Sequence, residues 1–287
     1  MCADNPKILD GRAASESLRT ELKKRVAVLA NKNIKPGLVT ILVGEDPASK
    51  IYVNLKHKAC NQVGIRSEKR VLAASISEQE LLNVIREYNE DRSFHGILVQ
   101  LPLPPHIDVE KVLQEIDVSK DVDGFHPVNL GNLVRGNTDN SFVSCTPAGI
   151  LYLLKEHANI NLEGLDAVIE NRSNIVGKPL VHLLLQENVT VTVCHSRTKN
   201  LKEHTRRADL VITGIGKAKY FTKSYFKEGA IIVDVGTNRT DDGLVGDVDF
   251  DNVIEIASKI SPPTGGVGPM TISMLLANTV KSAEMRG

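Results

Sequence analysis

The sequence predicts an α/β fold with two domains, each built around a mainly parallel β-sheet. Strand-like apolar runs alternate with helix-like runs along almost the whole chain, which is the pattern of parallel sheets with crossover helices. A polar stretch rich in Gly and Asn, residues 129–144, interrupts this alternation, and 287 residues suit two mid-sized domains. We therefore expect domains at residues 1–145 and 146–269 around a cleft, with a C-terminal helix at 270–287 packing back on the first domain.

The N-terminal half contains a leading helix and then alternating strands and helices. Short apolar runs predict strands, and apolar residues at helical spacing predict helices. The predicted strands are 37–44, 69–73 and 96–101, and the predicted helices are 12–31, 48–63, 77–91 and 108–117. The stretch 129–144 then leads to the second domain.

The C-terminal half repeats the alternation more strictly. The predicted strands are 165–170, 189–194, 209–213 and 230–235, and the predicted helices are 147–158, 179–188 and 270–285. Thr146 and Pro147 suit the cap and the first turn of the crossover helix 147–158. Strands of this kind suit a Rossmann-like NAD(P)-binding domain with a parallel sheet, although many doubly wound domains without a ligand share the pattern.

The composition excludes several classes of protein. Lys and Arg number 35 against 35 Asp and Glu, so the net charge gives no reason to expect nucleic acid or an anionic membrane as a partner. No apolar run approaches the roughly 18 residues of a spanning helix, and the N-terminus resembles neither a secretory signal nor a transit peptide. We expect a cytoplasmic protein.

The four cysteines are Cys2, Cys60, Cys145 and Cys194. They lie far apart in the sequence and form no CxxC pair, so neither a disulfide framework nor a metal site is predicted. Cys60 follows Lys56 by four residues and is a candidate reactive thiol. A buried structural role is the favoured interpretation.

A candidate nucleotide site begins at residues 167–184, which are predicted to form a strand, a turn and a helix. Unpaired N–H groups at a helix N-terminus attract phosphate. Ser173 offers a hydroxyl, Gly177 permits close approach, and Pro179 suits a first helical turn. The segment lacks the common GxGxxG spacing, so an ordinary turn without a ligand stays open as an alternative.

The end of the next strand bears on the choice of dinucleotide. An NAD site usually has an acidic residue here that binds the ribose 2′-hydroxyl, but this chain has His195, Ser196 and Arg197. Arg172 is expected to converge from the preceding turn, and two guanidiniums suit a 2′-phosphate. We therefore expect NADP as the cofactor; the alternative is a solvated Arg197 and a His195 that caps the strand.

Glycine-rich segments follow the later strands. Residues 262–271 contain three glycines within four positions, before a helix that is expected to begin after Pro269. Such a segment lets the backbone approach a flat ligand, and a tight interdomain turn explains it equally well. Residues 234–238 and 245–248 are expected at the carboxyl edge of the sheet, where open α/β sheets bind ligands.

A candidate reactive site lies in the first domain. Tyr52 and Lys56 are four residues apart on one predicted helical face, Gln100 ends a strand, and Asp121 and Asp123 lie in a loop flanked by Gly and Pro. A lysine acts as a base when desolvation or cationic neighbours lower its pKa. For Lys56 alone, a solvated Lys-rich helix face is the alternative.

Together these segments resemble one family over essentially the whole chain, the bifunctional 5,10-methylenetetrahydrofolate dehydrogenase/5,10-methenyltetrahydrofolate cyclohydrolases. The matching motifs, in order, are VGEDPASKIYVNLKHKAC (43–60), GILVQLPLP (96–104), KDVDGFHPVNLG (120–131), CTPAGI (145–150), RSNIVGKP (172–179), CHSRT (194–198), VGDVDF (245–250) and GGVGPMT (265–271). The resemblance implies oxidation of 5,10-methylenetetrahydrofolate with NADP and hydrolysis of the methenyl product to 10-formyltetrahydrofolate. It also implies a homodimer whose contacts lie mainly on the nucleotide domain.

The resemblance further implies roles for particular residues. The family lysine that matches Lys56 is central to hydrolysis, and the residues matching Tyr52, Gln100 and Asp123 stack on the folate, hold the lysine and bind the pterin edge. The predicted substrate-binding residues are Tyr52, Lys56, Gln100, Leu101, Asp123, Gly268 and Pro269. The predicted cofactor-binding residues are Arg172, Ser173, Ile175, Gly177, His195, Ser196, Arg197, Gly214, Gly236 and Thr237.

Two departures from the family pattern leave alternatives open. Glu170 and Asn171 stand where the family usually has Gly before Arg-Ser, and Thr264 follows Pro263 where the family usually reads Val-Pro. Asn tolerates left-handed backbone, so the turn is expected to survive, whereas a carboxylate at Glu170 is expected to disfavour a dinucleotide. The alternatives are a cyclohydrolase with weak or lost dehydrogenase activity and, in a different class, a nucleotide-binding dimer without catalysis.

Overall fold

The computed structural model describes residues 5–241 and 243–286, and Cys2 lies outside the described residues. Contacts divide the chain into two compact units. The three-stranded unit contains residues 17–145 and 272–286, and the five-stranded unit contains residues 5–16 and 146–271. The predicted α/β class with parallel sheets is confirmed in both units.

The helices and strands alternate along most of the chain. In order they are α1 (Gly11–Asn31), β1 (Gly37–Val43), α2 (Pro47–Val63), β2 (Arg66–Leu72), α3 (Glu78–Glu90), β3 (Gly96–Val99), α4 (Val109–Glu115), α5 (Pro127–Val134), α6 (Cys145–Tyr152), β4 (Asp166–Glu170), α7 (Gly177–Gln186), β5 (Thr190–Cys194), α8 (Leu201–Arg207), β6 (Leu210–Thr213), β7 (Ile231–Asp234), β8 (Asn238–Thr240), β9 (Gly243–Val245), α9 (Phe250–Val253), β10 (Lys259–Ile260) and α10 (Val267–Arg286). A π-helical turn, Leu153–His157, continues α6, and a 3-10 turn, Lys223–Tyr225, precedes β7.

The sheet of the three-stranded unit has the order β2-β1-β3, and all its strands are parallel. The central strand β1 is buried along its whole length, as its uninterrupted apolar sequence predicts. Apolar side chains of β1 and β3 pack against α3 and α4, with Phe94 in the same core. Because parallel strands end at the same edge, this core places Gln100, directly after β3, at the carboxyl edge of the sheet.

The sheet of the five-stranded unit has the order β10-β7-β6-β4-β5, again with parallel pairing. The first strand, β4, has β5 on one side and β6 on the other. The chain therefore changes direction across the sheet beside β4. In open α/β sheets the crevice at the carboxyl end of such a switch point is where ligands bind.

Several predicted boundaries are wrong in detail. The strand predicted at 69–73 is β2 (Arg66–Leu72). The stretch 129–144, which interrupts the predicted alternation, includes most of a helix, α5 (Pro127–Val134), whose first turn is capped by the His126 side chain. This helix is stabilised by contacts with distant residues: Asn129 is buried and donates to Asp121 Oδ2 at 2.8 Å.

Two predicted helix starts also differ from the structure. Helix α6 begins at Cys145, so Thr146 lies within its first turn, and the Thr146 hydroxyl bonds Thr271 Oγ1 at 2.9 Å. Helix α10 begins at Val267, so Gly268 and Pro269 form part of its first turn. Among the described residues no helix is both long enough and apolar enough to cross a membrane.

Candidate active site

Helix α2 carries Lys56 in the three-stranded unit. The helix begins after Asp46, whose carboxylate accepts from Ser49 N at 2.7 Å, and it buries Val53 and Cys60. Lys56 is half-buried between these two positions, and its Nζ donates to Gln100 Oε1 at 3.0 Å. The structure therefore brings together two of the predicted residues from α2 and the end of β3.

The orientation of the Gln100 amide is fixed by its second hydrogen bond. Gln100 Nε2 donates to the carbonyl oxygen of Leu101 at 2.8 Å, so Oε1 is the atom that faces Lys56. Leu101 thus contributes its backbone to the cluster, and the Leu101–Pro102 peptide bond is cis. A lysine ammonium has three N–H donors, and this contact uses one of them.

Tyr52 lies one helical turn before Lys56 and is 46% exposed. Its neighbours Ile51 and Leu55 are also exposed, at 52% and 46%. This part of α2 consequently presents an aromatic ring and aliphatic side chains at the surface of the three-stranded unit. Such a surface suits stacking against a flat ring system.

The two aspartates of the loop between α4 and α5 have different environments. Asp121 is buried, and its carboxylate accepts from Phe125 N at 3.2 Å and from His126 N and Asn129 Nδ2, both at 2.8 Å. Burial raises the pKa of Asp121 to about 6. Asp121 therefore holds the loop in place, and its oxygens are already occupied by protein donors.

Asp123 is the aspartate that joins the lysine cluster. Burial raises the pKa of Asp123, while the Lys56 charge and the Cys145 thiol oppose this effect. The path of the loop depends on Gly124, which has a φ of +73° and whose Cβ would lie 2.6 Å from the backbone of Val143 and Ser144. Lys56 thus contacts Gln100 directly, and its charge also acts on Asp123.

The three described cysteines are free thiols that lie buried in the protein. Cys60 is fully buried, and burial raises its pKa to about 12, so the buried interpretation of Cys60 is confirmed. Cys145 and Cys194 are buried as well. The described residues contain no group of His, Cys, Asp and Glu side chains with the arrangement of a metal site.

The turn between β4 and α7 in the five-stranded unit is built by its own side chains. Asn171 Nδ2 donates to the Gly214 carbonyl at 2.7 Å, and Asn171 Oδ1 accepts from Ser173 N at 2.8 Å. Ser173 Oγ accepts from Val176 N at 3.1 Å. Asn171 joins the turns after β4 and β6 at the switch point of the sheet, and it does so without left-handed backbone.

The protein itself leaves no room for a side chain at Gly177. A Cβ at this position would lie 2.2 Å from the Asn171 carbonyl oxygen, so the turn closes only with glycine. The backbone of Gly177 therefore lies close to the backbone of Asn171, within the same turn. Ile175, in contrast, is 39% exposed and leaves an apolar side chain at the surface beside it.

In the loop after β5, His195 and Arg197 have different surroundings. His195 Nδ1 accepts from Arg197 N at 3.1 Å, and His195 N donates to Thr198 Oγ1 at 2.9 Å, so His195 shapes the loop. Arg197, Ser196 and Arg172 are exposed. Within the described part of the chain neither guanidinium forms an ion pair with a carboxylate.

Glu170 ends β4 and is 4% exposed. Its Oε2 has no hydrogen-bond partner among the described residues, and burial raises the pKa of Glu170. It stands opposite Cys194 of β5 in the parallel register. Removal of a carboxylate from water destabilises its charged form, which is the cause of the raised pKa.

Two buried carboxylates near Gly236 were not singled out as site residues in the sequence. Asp247 accepts from backbone N–H groups after β6, and Asp234 accepts from Gly236 N and Val248 N, both at 2.8 Å. A Cβ on Gly236 would lie 2.2 Å from the Asp247 carboxyl carbon, so this glycine makes room for a side chain of the protein. Thr237 next to it is exposed.

The fold and the two residue groups define a class of protein. The five-stranded unit has the parallel sheet, the switch point and the helix-starting turn of a dinucleotide-binding domain. The three-stranded unit holds a lysine, an amide and a carboxylate at one place, which is the composition of a proton-transfer site. The chain thus has the organisation of a two-part α/β enzyme that uses a dinucleotide.

Comparison with known families identifies which enzyme class this is. The profile of the tetrahydrofolate dehydrogenase/cyclohydrolase catalytic domain matches residues 9–123, and that of the NAD(P)-binding domain of the same enzymes matches residues 144–287. The chain belongs to the tetrahydrofolate dehydrogenase/cyclohydrolase family. The predicted family resemblance is confirmed.

Individual relatives match over nearly the whole chain. The bifunctional protein FolD of Halalkalibacterium halodurans is 52% identical over 277 residues, which are 96% of this chain and 98% of that protein. The crystal structure of the Campylobacter jejuni bifunctional enzyme FolD has a TM-score of 0.95 and 50% identity, with 98% and 99% of the two chains covered. A Trypanosoma brucei FolD structure, complexed with NADP cofactor and inhibitor, has a TM-score of 0.92 and 37% identity, with 97% of each chain covered.

Proposed function

We propose that this chain oxidises 5,10-methylenetetrahydrofolate with NADP and then hydrolyses the 5,10-methenyl product to 10-formyltetrahydrofolate. The family to which it belongs has both activities in its name, and its relatives with about half of their residues identical are bifunctional proteins. The observation that carries the proposal is the hydrogen bond between Lys56 Nζ and Gln100 Oε1 beside Asp123.

The hydrolysis is assigned to the cluster around Lys56. Hydrolysis of a methenyl cation needs water to attack the bridging carbon and protons to move to and from that water. Gln100 holds the lysine at one of its N–H groups, which leaves the others free to act on substrate and water. Lys56 is therefore the proton-transfer residue, and Gln100 positions it.

The folate would be held by the residues around this cluster. A carboxylate accepts two hydrogen bonds from the amino group and ring N–H of a pterin, which is the role proposed for Asp123. The exposed ring of Tyr52 stacks on the substrate. Leu101 completes the proposed substrate-binding set of the three-stranded unit. Gly268 and Pro269, which belong to the five-stranded unit, stay predictions from the family resemblance. A Cβ on Gly268 would meet no atom of the described residues within 4 Å.

The exposed basic residues of the five-stranded unit fit a phosphorylated dinucleotide. Arg172 and Arg197 have no carboxylate partner among the described residues, and guanidiniums pair well with phosphate. We assign them to the 2′-phosphate and assign the remaining contacts to the backbone or side chains of Ser173, Ile175, Gly177, His195, Ser196, Gly214, Gly236 and Thr237. NADP, when bound, supplies the hydride acceptor for the oxidation.

No observation favours an enzyme that has lost its dehydrogenase activity. Asn171 makes two hydrogen bonds that close the turn, and burial raises the pKa of Glu170. The alternative of a nucleotide-binding dimer without catalysis leaves the Lys56–Gln100 pair without a purpose.

Further properties stay predictions. The domain limits 1–145 and 146–269 are proposed as the folate-binding and NADP-binding parts. A homodimer through the five-stranded unit is supported by the edge strand β5, on which Val193 is 40% exposed. The cytoplasmic location also stays a prediction.

The dehydrogenase assignment is tested by following absorbance while purified protein oxidises 5,10-methylenetetrahydrofolate with either NADP or NAD. We expect reduction of NADP, at least about tenfold lower efficiency with NAD because two charge-assisted contacts are missing, and little lasting methenyl product. Absence of reduction with both cofactors would contradict the oxidation, and lasting methenyl product would contradict the hydrolysis.

A further inference from the structure

The carboxylate of Asp247 binds four donors from segments that follow neighbouring strands. Its Oδ2 accepts from Ile215 N at 2.5 Å and Gly216 N at 2.9 Å. Its Oδ1 accepts from Lys217 N and from Asn238 Nδ2, both at 2.8 Å. Asp247 itself is fully buried. One side chain thus fixes the segment after β6 and the segment after β7 at the same edge of the sheet.

Two glycines leave the space that the buried carboxylates occupy. A Cβ on Gly236 would lie 2.4 Å from Asp247 Oδ1, and a Cβ on Gly246 would lie 1.9 Å from Asp234 Oδ2. Asp234 in turn accepts from the backbone N–H of Gly236 and of Val248, next to Asp247. The backbone of both segments is therefore built around the carboxylates.

The fixed segments adjoin residues of the proposed cofactor site. Gly214 immediately precedes the three N–H groups held by Asp247, and Gly236 and Thr237 immediately precede Asn238. An acceptor that binds three successive N–H groups determines the backbone conformation of that segment. A ligand that binds to a segment already in its final conformation loses less conformational entropy.

We propose that Asp247 is a positioning residue of the dinucleotide site, which holds the segments 214–217 and 236–238 in their binding conformation before a dinucleotide arrives. The proposal rests on the proposed NADP function of this unit. Asp247 acts through the backbone of these segments, and its oxygens are all engaged within the protein.

The test is Asp247→Asn, because an amide replaces one acceptor oxygen with a donor that faces backbone N–H groups. We expect the Kd for NADP, measured by titration calorimetry, to rise at least about tenfold. Without NADP, amide hydrogen exchange of residues 215–217 should become at least about tenfold faster. Hydrolysis of the methenyl substrate, assigned to Lys56 in the other unit, should stay within about twofold of wild type.

Matched variants separate positioning from general loss of stability. Asp251→Asn changes an exposed aspartate of α9 and should alter neither the Kd nor the exchange. Val253→Ala removes buried side-chain volume from the same unit and should lower Tm without weakening NADP binding. If Asp247→Asn leaves the Kd and the exchange unchanged, or weakens binding no more than Val253→Ala does, the proposal is wrong.

A milder variant covers the case in which Asp247→Asn does not fold. Asn238→Ala removes a single donor to Asp247 Oδ1 and should raise the Kd about threefold and speed exchange at 215–217. Unchanged values for both would overturn the proposal. A wild-type protein that does not bind NADP would instead contradict the proposed function, so the two failures are distinguishable.

Discussion

At the scale of single residues, the five-stranded unit separates the side chains that build its turns from those that are left exposed. Asn171, Ser173 and His195 form hydrogen bonds with backbone groups. Arg172 and Arg197 are exposed, and among the described residues neither has an acidic partner. The two arginines are therefore the residues from which we expect recognition of the 2′-phosphate.

Replacement of Arg197 by Leu should change the choice of cofactor. A charge-assisted contact with phosphate contributes about 1.5–3 kcal/mol, so kcat/KM with NADP should fall by about ten- to hundredfold while the value with NAD stays nearly unchanged. Lys199→Leu, at an exposed position of the same loop, is the control and should affect both cofactors little. Equal losses with NADP and NAD in Arg197→Leu would show that Arg197 does not recognise the 2′-phosphate.

The residues differ in how well the sequence predicts them. The contact between Lys56 and Gln100 was expected because each residue lies in a recognisable motif. Residues 245–248 were expected at the carboxyl edge of the sheet, but no role was predicted for Asp247. Three of its partners are backbone N–H groups some 30 residues earlier, and such contacts leave no pattern in the side chains. The sequence feature that could have drawn attention to Asp247 is the glycine directly before it, Gly246. The structure shows that a Cβ on Gly246 would lie 1.9 Å from Asp234 Oδ2.

At the scale of elements, the loop between α4 and α5 forms one hydrogen-bonded assembly with helix α5. Asp121 accepts from Phe125 N, His126 N and the side chain of Asn129. Asn129 also accepts from Phe142 N at 3.2 Å. The sequence of α5 contains two Asn residues and Gly131, which are weak helix formers, so local propensity does not predict a helix. The contacts of Asp121 and Asn129 supply the missing stabilisation.

The buried Asp121 should make stability depend on pH. Its pKa is raised by burial from 3.8 to about 6, so the folded state holds the proton more tightly than the unfolded state. The protonated Asp121 therefore stabilises the folded state, and this contribution is fully present below the unfolded pKa near 4. It is lost as the pH rises through about 6, and the loss lowers the free energy of unfolding by about 3 kcal/mol.

Asp121→Asn removes this titrating group, so the difference between wild type and variant isolates its contribution to stability. Between about pH 4 and about pH 7, the free energy of unfolding of the wild type should decrease by about 3 kcal/mol relative to that of the variant, measured by denaturant unfolding at each pH. Asp251→Asn, which changes an exposed aspartate, should run parallel to wild type. A wild-type profile parallel to that of Asp121→Asn would refute the raised pKa.

At the scale of the whole molecule, the alternating pattern of the sequence was enough to predict the α/β class and most strands. It did not predict the strand order β10-β7-β6-β4-β5, because parallel neighbours are chosen by long-range packing. It also did not predict that residues 5–16 belong to the five-stranded unit. The cause is the pairing of the N-terminus with β10, in which Leu9 N donates to the Ile260 carbonyl at 2.9 Å.

The central claim is that one chain oxidises the methylene compound and hydrolyses the product with separate residue groups. Lys56 is assigned to proton transfer during hydrolysis and has no assigned role in hydride transfer, so removal of its charge should uncouple the two steps. General acid–base groups contribute about 10²- to 10⁴-fold, so Lys56→Met should lose at least about a hundredfold of the hydrolysis rate. The control is Lys58→Met, at an exposed lysine of the same helix.

The most direct measurement follows NADPH and the 5,10-methenyl compound at two wavelengths during oxidation of 5,10-methylenetetrahydrofolate by wild type, Lys56→Met and Lys58→Met. We expect NADPH from all three proteins and accumulation of the methenyl compound only with Lys56→Met. If Lys56→Met hydrolyses the methenyl compound as fast as wild type, the assignment of Lys56 and the central claim are contradicted.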